Sequence, residues 1–355
     1  MKALRVLGYL VGGVVVAAGG FVGWCAIDGI PHYAVPAVQA KVEVTPERVA
    51  RGHKLASLLC AQCHRDPTTG KLTGRRLDDM PTQFGDAFSR NITQHPVNGI
   101  GKYTDGQLVG LLRTGIASDG RYTPPWMVKL PHASDEDIYS LVAFLRSDDP
   151  MVQAVDVPNR DSHPSLLAKV LTHTVFKPLA LPTGPIAAPP RSDAVAYGRY
   201  LMTSALECHG CHSADFKTVN VDEPAKSVGF FGGDNELVGM SGELVYSANL
   251  TPDDETGLGS WTEAQFRRAL RDGIRPDNTL VRYPMSPMRD LDDDDIAAMY
   301  AYERTLPKIH KRPRANQQTT LQPNASNGQK VYYKYGCNSC HGENGVGTGD
   351  LRGAF

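Results

Sequence analysis

The sequence predicts a mostly α-helical, loop-rich protein: tandem small helical domains behind an N-terminal transmembrane helix. Three observations lead there. A charge-free run of 22 residues, Val6 to Ile27, lies near the N-terminus. Asn91 to Arg146 aligns without a gap on Asn249 to Arg304, at a constant offset of 158, and each copy carries start and stop signals for short helices. Gly (35) and Pro (25) are plentiful, so much of the chain is loop laid over something else. Short helices and few strands leave a deficit of core, and a large buried cofactor would supply it.

Lys2 and Arg5 precede the apolar run, which at ~1.5 Å per residue is long enough for a ~30 Å hydrocarbon core. No A-x-A pattern closes it, so an uncleaved anchor is expected, with Cys25 an apolar residue of the span. Positive charge before the span and Asp28 after it place the N-terminus in the cytoplasm and the bulk of the chain outside. With 355 residues and a net charge of −1, the chain has room for two or three small domains and no charge signature for nucleic acid. The expected organisation is an anchor over 1–30, a first domain over 45–150, a Pro-rich linker over 151–193 and a second domain over 194–307. A polar linker over 308–325 and the start of a third domain over 326–355, incomplete as it stands, follow. Within the repeats, Thr104-x-x-Gln107 and Thr262-x-x-Gln265 read as capping boxes, closed by Gly115 and Gly273. Ser134-x-x-Asp137 and the acidic run Asp292 to Asp295 open the last helix of each copy, where negative charge is favourable. In the first linker, "SLLAKVL" is expected to form a short helix.

Six of the seven cysteines fall in three strings: "CAQCH" at 60–64, "CHGCH" at 208–212 and "CNSCH" at 337–341. At this chain's own Cys and His frequencies, chance yields about 0.004 such strings, so three demand one cause. Zinc sites do not require His directly after the second Cys, and a thioredoxin-like motif would occur once, near a βαβ pattern absent here. Covalent haem attachment accounts for every position. Cys60 and Cys63, Cys208 and Cys211, and Cys337 and Cys340 would form thioethers to three c-type haems, with His64, His212 and His341 as proximal iron ligands. His209 is read as a solvent-facing spacer. The fold class sharpens accordingly to tandem cytochrome c domains.

What fills the sixth iron position decides between electron transfer and chemistry. The repeat places Met127 on Met285, each 11 residues before a matching isoleucine of the last helix, Ile138 or Ile296. These two are the expected distal ligands, with Met288 close enough to compete with Met285. The N-x-S/T triplets at Asn91, Asn249 and Asn324 are discounted as glycan acceptors.

On "RGHKLASLLCAQCH", "NLTPDDETGLGSW" and "DDDDIAAMYAYERTLP", the chain resembles the three-haem cytochrome subunits of membrane-bound quinoprotein alcohol dehydrogenases and flavin-dependent gluconate dehydrogenases, over about 48–307. The resemblance implies that Cys60, Cys63, His64 and Met127 serve one haem, and Cys208, Cys211, His212 and Met285 the next. In that family the third domain ends in its own methionine loop; here no methionine follows Met299, so only Cys337, Cys340 and His341 carry over. The expected function is a tri-haem relay on the bacterial inner membrane, with its haem domains in the periplasm. It would pass electrons between a membrane-bound oxidoreductase, or subunits of a respiratory or photosynthetic complex, and a soluble electron carrier. Such a chain is an electron-transfer subunit rather than an enzyme by itself. Two other classes stay open: a peroxidase-like enzyme at an open third haem, and a structural cytochrome subunit of a larger complex.

Overall fold

The computed structural model describes residues 2–124, 126–239 and 243–316. Its elements in order are α1 (Lys2–Asp28), α2 (Pro46–Leu59), α3 (Ala61–His64), β1 (Gly85–Asp86), α4 (Asp105–Thr114) and α5 (Asp135–Leu145). Then come β2 (His163–Pro164), α6 (Leu166–Thr174), α7 (Ala194–Tyr200), α8 (Cys208–His212), β3 (Glu236–Val238), β4 (Leu244–Tyr246), α9 (Glu263–Asp272) and α10 (Asp293–Glu303). Helix dominates. Two antiparallel pairs, β1 with β2 and β3 with β4, are the strands among the described residues. The third Cys-x-x-Cys-His string, with Cys337, Cys340 and His341, lies outside them.

α1 is one helix long and apolar enough to cross a membrane, with a mean hydropathy of 2.1, a property shared by anchors and signal sequences. Leu4, Tyr9 and Val16 stand exposed along it. Its C-terminal end is docked. Cys25 is fully buried, the Trp24 and His173 rings lie 4.6 Å apart, and Lys169 Nζ donates to the Ala26 carbonyl at 3.0 Å. The partner in these contacts is α6, the short helix expected in the linker, capped by Ser165. The Pro-rich stretch around α6 is likewise tied down, since Asn91 donates to the carbonyls of Val155 (3.0 Å) and Val157 (3.1 Å).

The sequence repeat is also a repeat of contacts. Both capping boxes form in full, and Gly115 and Gly273 end their helices with φ of 80° and 72°, a left-handed turn open to glycine. Arg113 pairs with Asp135 (2.7 Å) and Arg271 with Asp293 (2.7 Å), again 158 residues apart. In the first repeat α2 crosses α5 at Gly52, where a Cβ would stand 1.9 Å from the Ser140 carbonyl oxygen. In the second, α7 crosses α10 at Gly198, and the same atom would stand 1.9 Å from the carbonyl oxygen of Ala298, the counterpart of Ser140. Glycine at each crossing lets two helices approach to backbone contact, burying Leu55, Ile138, Leu141 and Phe144 on one side and Leu201, Ile296 and Met299 on the other.

The two repeats also grip each other reciprocally. Lys54 of α2 reaches Asp292 (2.7 Å) and Asp295 (2.9 Å) at the start of α10. Tyr200 of α7 donates to Asp137 (2.6 Å) and accepts from the Ser134 backbone N–H (2.9 Å) at the start of α5. Ser134 and Asp292 are counterparts, as are Asp137 and Asp295. Each repeat's first helix therefore holds the N-terminus of the other's last helix, where acidic side chains already face the helix dipole.

Candidate functional site

The first motif forms as α2 gives way to a single further turn, α3, so Cys60, Cys63 and His64 sit on consecutive turns at one corner of the repeat. The second lies in α8, set off from α7 by a π turn over Leu201–Ala205 and a left-handed Glu207. Cys60, Cys63, Cys208 and Cys211 are all free thiols. Burial pushes the Cys60 and Cys208 thiols up to about 12, so neither ionises near neutrality. A thioether, being uncharged, meets no such penalty.

The histidines carry the main observation. His64 Nδ1 lies 2.6 Å from the Arg90 carbonyl and His212 Nδ1 lies 2.9 Å from the Ala248 carbonyl; 90 and 248 differ by the repeat offset. A nitrogen facing a carbonyl oxygen must carry the hydrogen. Burial holds both imidazoles below their usual range and hence neutral, so each Nε2 keeps its lone pair. A ligating histidine needs this tautomer, fixed by a partner behind the metal. The carbonyl behind each ring is itself held. Asn91 and Asn249, both buried, accept from the N–H (2.9 Å) and hydroxyl (2.7 Å) of Thr93 and Thr251 in matching turns. Their burial is the physical reason to discount them as glycan acceptors.

Met127 and Met285 occupy equivalent loops, half-buried, between the capped helix and the last helix of each repeat. Leu130 N–H donates to the Leu112 carbonyl at 2.8 Å, and Met288 N–H donates to the Leu270 carbonyl at 2.8 Å. Met288 therefore stands where the first repeat has the buried Leu130, and Met285 stands where it has Met127. Met285 and Cys208 pack against the same core cluster. Among the described residues, no group of three or more His, Cys, Asp and Glu side chains gathers as a chelate. The donors present suit a haem, which brings four nitrogens of its own and asks the protein only for thioethers and axial ligands.

Two features escaped the sequence. His209, read as a solvent-facing spacer, is fully buried, and burial lowers it to about 4; its ring sits 6.2 Å from Phe230 and its Nε2 3.8 Å from Glu207. It packs behind the second motif. Arg75 is the other: its guanidinium donates to the Gln62 carbonyl from Nε (3.1 Å) and Nη2 (2.6 Å), inside the first motif. Its backbone N–H donates to Ser89 Oγ (2.8 Å), which donates to the Cys63 carbonyl (2.5 Å). No local pattern marks either residue.

No protein-family model matches the chain. It is similar to the gluconate 2-dehydrogenase cytochrome c subunit of Pantoea cypripedii, 31% identical over 276 residues that cover 73% of this chain and 59% of the relative. It is similar also to the cytochrome c subunit of the quinone alcohol dehydrogenase of Gluconobacter oxydans, 27% identical over 351 residues, covering 92% of this chain and 70% of the relative. The fructose dehydrogenase cytochrome subunit of Gluconobacter japonicus is 26% identical over 335 residues, covering 85% and 65%. The chain thus spans 59% of the first of these relatives and 65–70% of the other two.

Proposed function

Because the chain is a relative of the cytochrome c subunits of dehydrogenase complexes, we propose that it is a membrane-anchored, periplasmic tri-haem c-type cytochrome that relays electrons from a partner oxidoreductase to a further carrier. One observation carries the reading: the two motif histidines, in separate repeats, present neutral imidazoles with Nδ1 tied to equivalent carbonyls and Nε2 left free. Cys60 with Cys63, and Cys208 with Cys211, would hold a haem each, and Met127 and Met285 would complete the two irons. Bound haem supplies reversible one-electron chemistry. The protein's part is to fix the proximal imidazole, close the distal side with a thioether and keep water from the ring, which suits outer-sphere transfer. The third motif would hold a further haem by the same chemistry. The apolar α1, docked at its C-terminal end on α6, would keep the haem domains close to the membrane surface.

The test is isolation from membranes in mild detergent. A flavin- or quinone-dependent dehydrogenase should co-purify, and its substrate should reduce the haems of this chain. A chain that leaves the membrane alone, with haems that no bound dehydrogenase reduces, would refute the assignment.

A further inference from the structure

The polar contacts that hold α6 to α1 fall at the C-terminal end of α1. Lys169 Nζ donates to the Ala26 carbonyl (3.0 Å), His173 Nε2 donates to the Gly29 carbonyl (3.2 Å), and the His173 ring lies against that of Trp24. Ala168 and Thr172 form the buried side of α6. The other side is apolar and uncovered: Leu166, Leu167 and Val175 are 47%, 46% and 65% exposed. The polar groups beside them turn back on the helix. Thr174 Oγ1 donates to the Val170 carbonyl (2.8 Å) and Lys177 Nζ to the His173 carbonyl (2.6 Å). No Asp or Glu occurs between residues 165 and 177.

We propose that α6 lies in the membrane–water interface, with its exposed apolar side among phospholipid headgroups and the upper acyl chains. The inference rests on the reading of α1 as a membrane anchor given above. The apolar run of α1, Val6 to Ile27, fills a ~30 Å hydrocarbon core, so a helix fixed to residues 24–29 is held at headgroup level. Trp24, half exposed at that level, is a residue type enriched there. A short helix with one apolar side and a basic, acid-free polar side suits such a surface. In water the same side would be an unpaired hydrophobic patch continuous with α1. α6 also abuts the first repeat. Ser165 N–H donates to the Phe84 carbonyl (3.0 Å), and the Phe84 ring lies 6.0 Å from that of Trp126, the neighbour of Met127. Seating α6 in the interface therefore brings the methionine loop of the first repeat close to the membrane.

Nitroxide labels on the haem-loaded full chain test this in nanodiscs of phosphatidylethanolamine and phosphatidylglycerol, with Cys25→Ala as background. Labels at Leu167→Cys and Val175→Cys should be relaxed by oxygen, which concentrates among acyl chains. A water-soluble nickel chelate should relax them several-fold less than a label at Asp222→Cys, on the exposed surface of the second repeat. A label at Val14→Cys, within the apolar run, reads α1 independently. If the α6 labels are as open to nickel as Asp222→Cys while Val14→Cys is shielded, the inference is overturned and the anchor stands. The same holds if the α6 labels are shielded from both relaxants, since a protein partner would then cover that side. A Val14→Cys label open to nickel, or recovery of the chain without α1, refutes the anchor reading together with the inference.

Discussion

His64 and His212 are held in one tautomer by the same device, as an iron ligand would need. Each ring gives its Nδ1 hydrogen to a carbonyl 158 residues from its counterpart, and burial keeps the ring neutral. The motif was legible in sequence because attachment chemistry fixes two cysteines and a histidine within five adjacent positions; the carbonyl behind the ring was not, because Arg90 and Ala248 act through backbone atoms that any residue supplies. His209 was misread for a related reason: between two cysteines a residue carries no periodic burial signal, yet this one is fully buried. Register sets Met285 and Met288 apart, since Met288 takes the hydrogen-bonded place of Leu130 and Met285 that of Met127. We therefore expect Met285→His to keep its haem while lowering that haem's midpoint potential, as a harder ligand favours the ferric state. Met288→Leu should leave all potentials in place. Spectroelectrochemical titration checks both, and a shift from the Met288 variant alone would reverse the assignment.

Capped helices were the most legible elements, because a capping box is complete within four residues; both Thr104–Gln107 and Thr262–Gln265 form as expected. The helix crossings were invisible, because Gly52 and Gly198 meet partners far along the chain. Ala in place of a mid-helix Gly normally gains roughly 0.5–1 kcal/mol. At Gly198 the new Cβ would meet a backbone oxygen at 1.9 Å, a clash no rotamer change relieves. Gly198→Ala should therefore destabilise the fold by about 1–3 kcal/mol in denaturant unfolding, the overpacking range; a neutral or stabilising result would mean the helices are not in backbone contact. α10 contains a second conflict. Glu303 is fully buried with neither carboxylate oxygen hydrogen-bonded, and burial raises it to about 7, whereas the equivalent residue of α5 is Leu145. Below pH about 4.5 folded and unfolded chains both hold this proton. Between there and about 7 the unfolded chain releases it first, so stability falls as pH rises. Glu303→Leu should thus stabilise the protein by about 1–3 kcal/mol at pH 8 and by much less at pH 4.5. An equal gain at both values would show that the carboxyl does not titrate abnormally.

At the scale of the whole molecule, two copies of one helical unit are clasped through Lys54 and Tyr200, and a long apolar helix docks at its inner end on α6. The duplication could be read from the gapless alignment. The clasp could not, because Lys54 and Tyr200 are chemically unlike residues at equivalent positions (200 and 54 differ by 146, as do Gly198 and Gly52) and only their shared targets reveal the symmetry. The apolar helix was legible by length and composition; its docking through Trp24 and Cys25 was not, since the same residues suit a membrane span equally well. Everything proposed at this scale depends on haem being bound at the motifs, and peptide mass spectrometry after proteolysis of the membrane-purified chain tests that most directly. The peptides containing Cys60 and Cys63, Cys208 and Cys211, and Cys337 and Cys340 should each carry the mass of one haem on two thioether bonds. Unmodified cysteines in those peptides, or cysteines paired as disulfides, would contradict it.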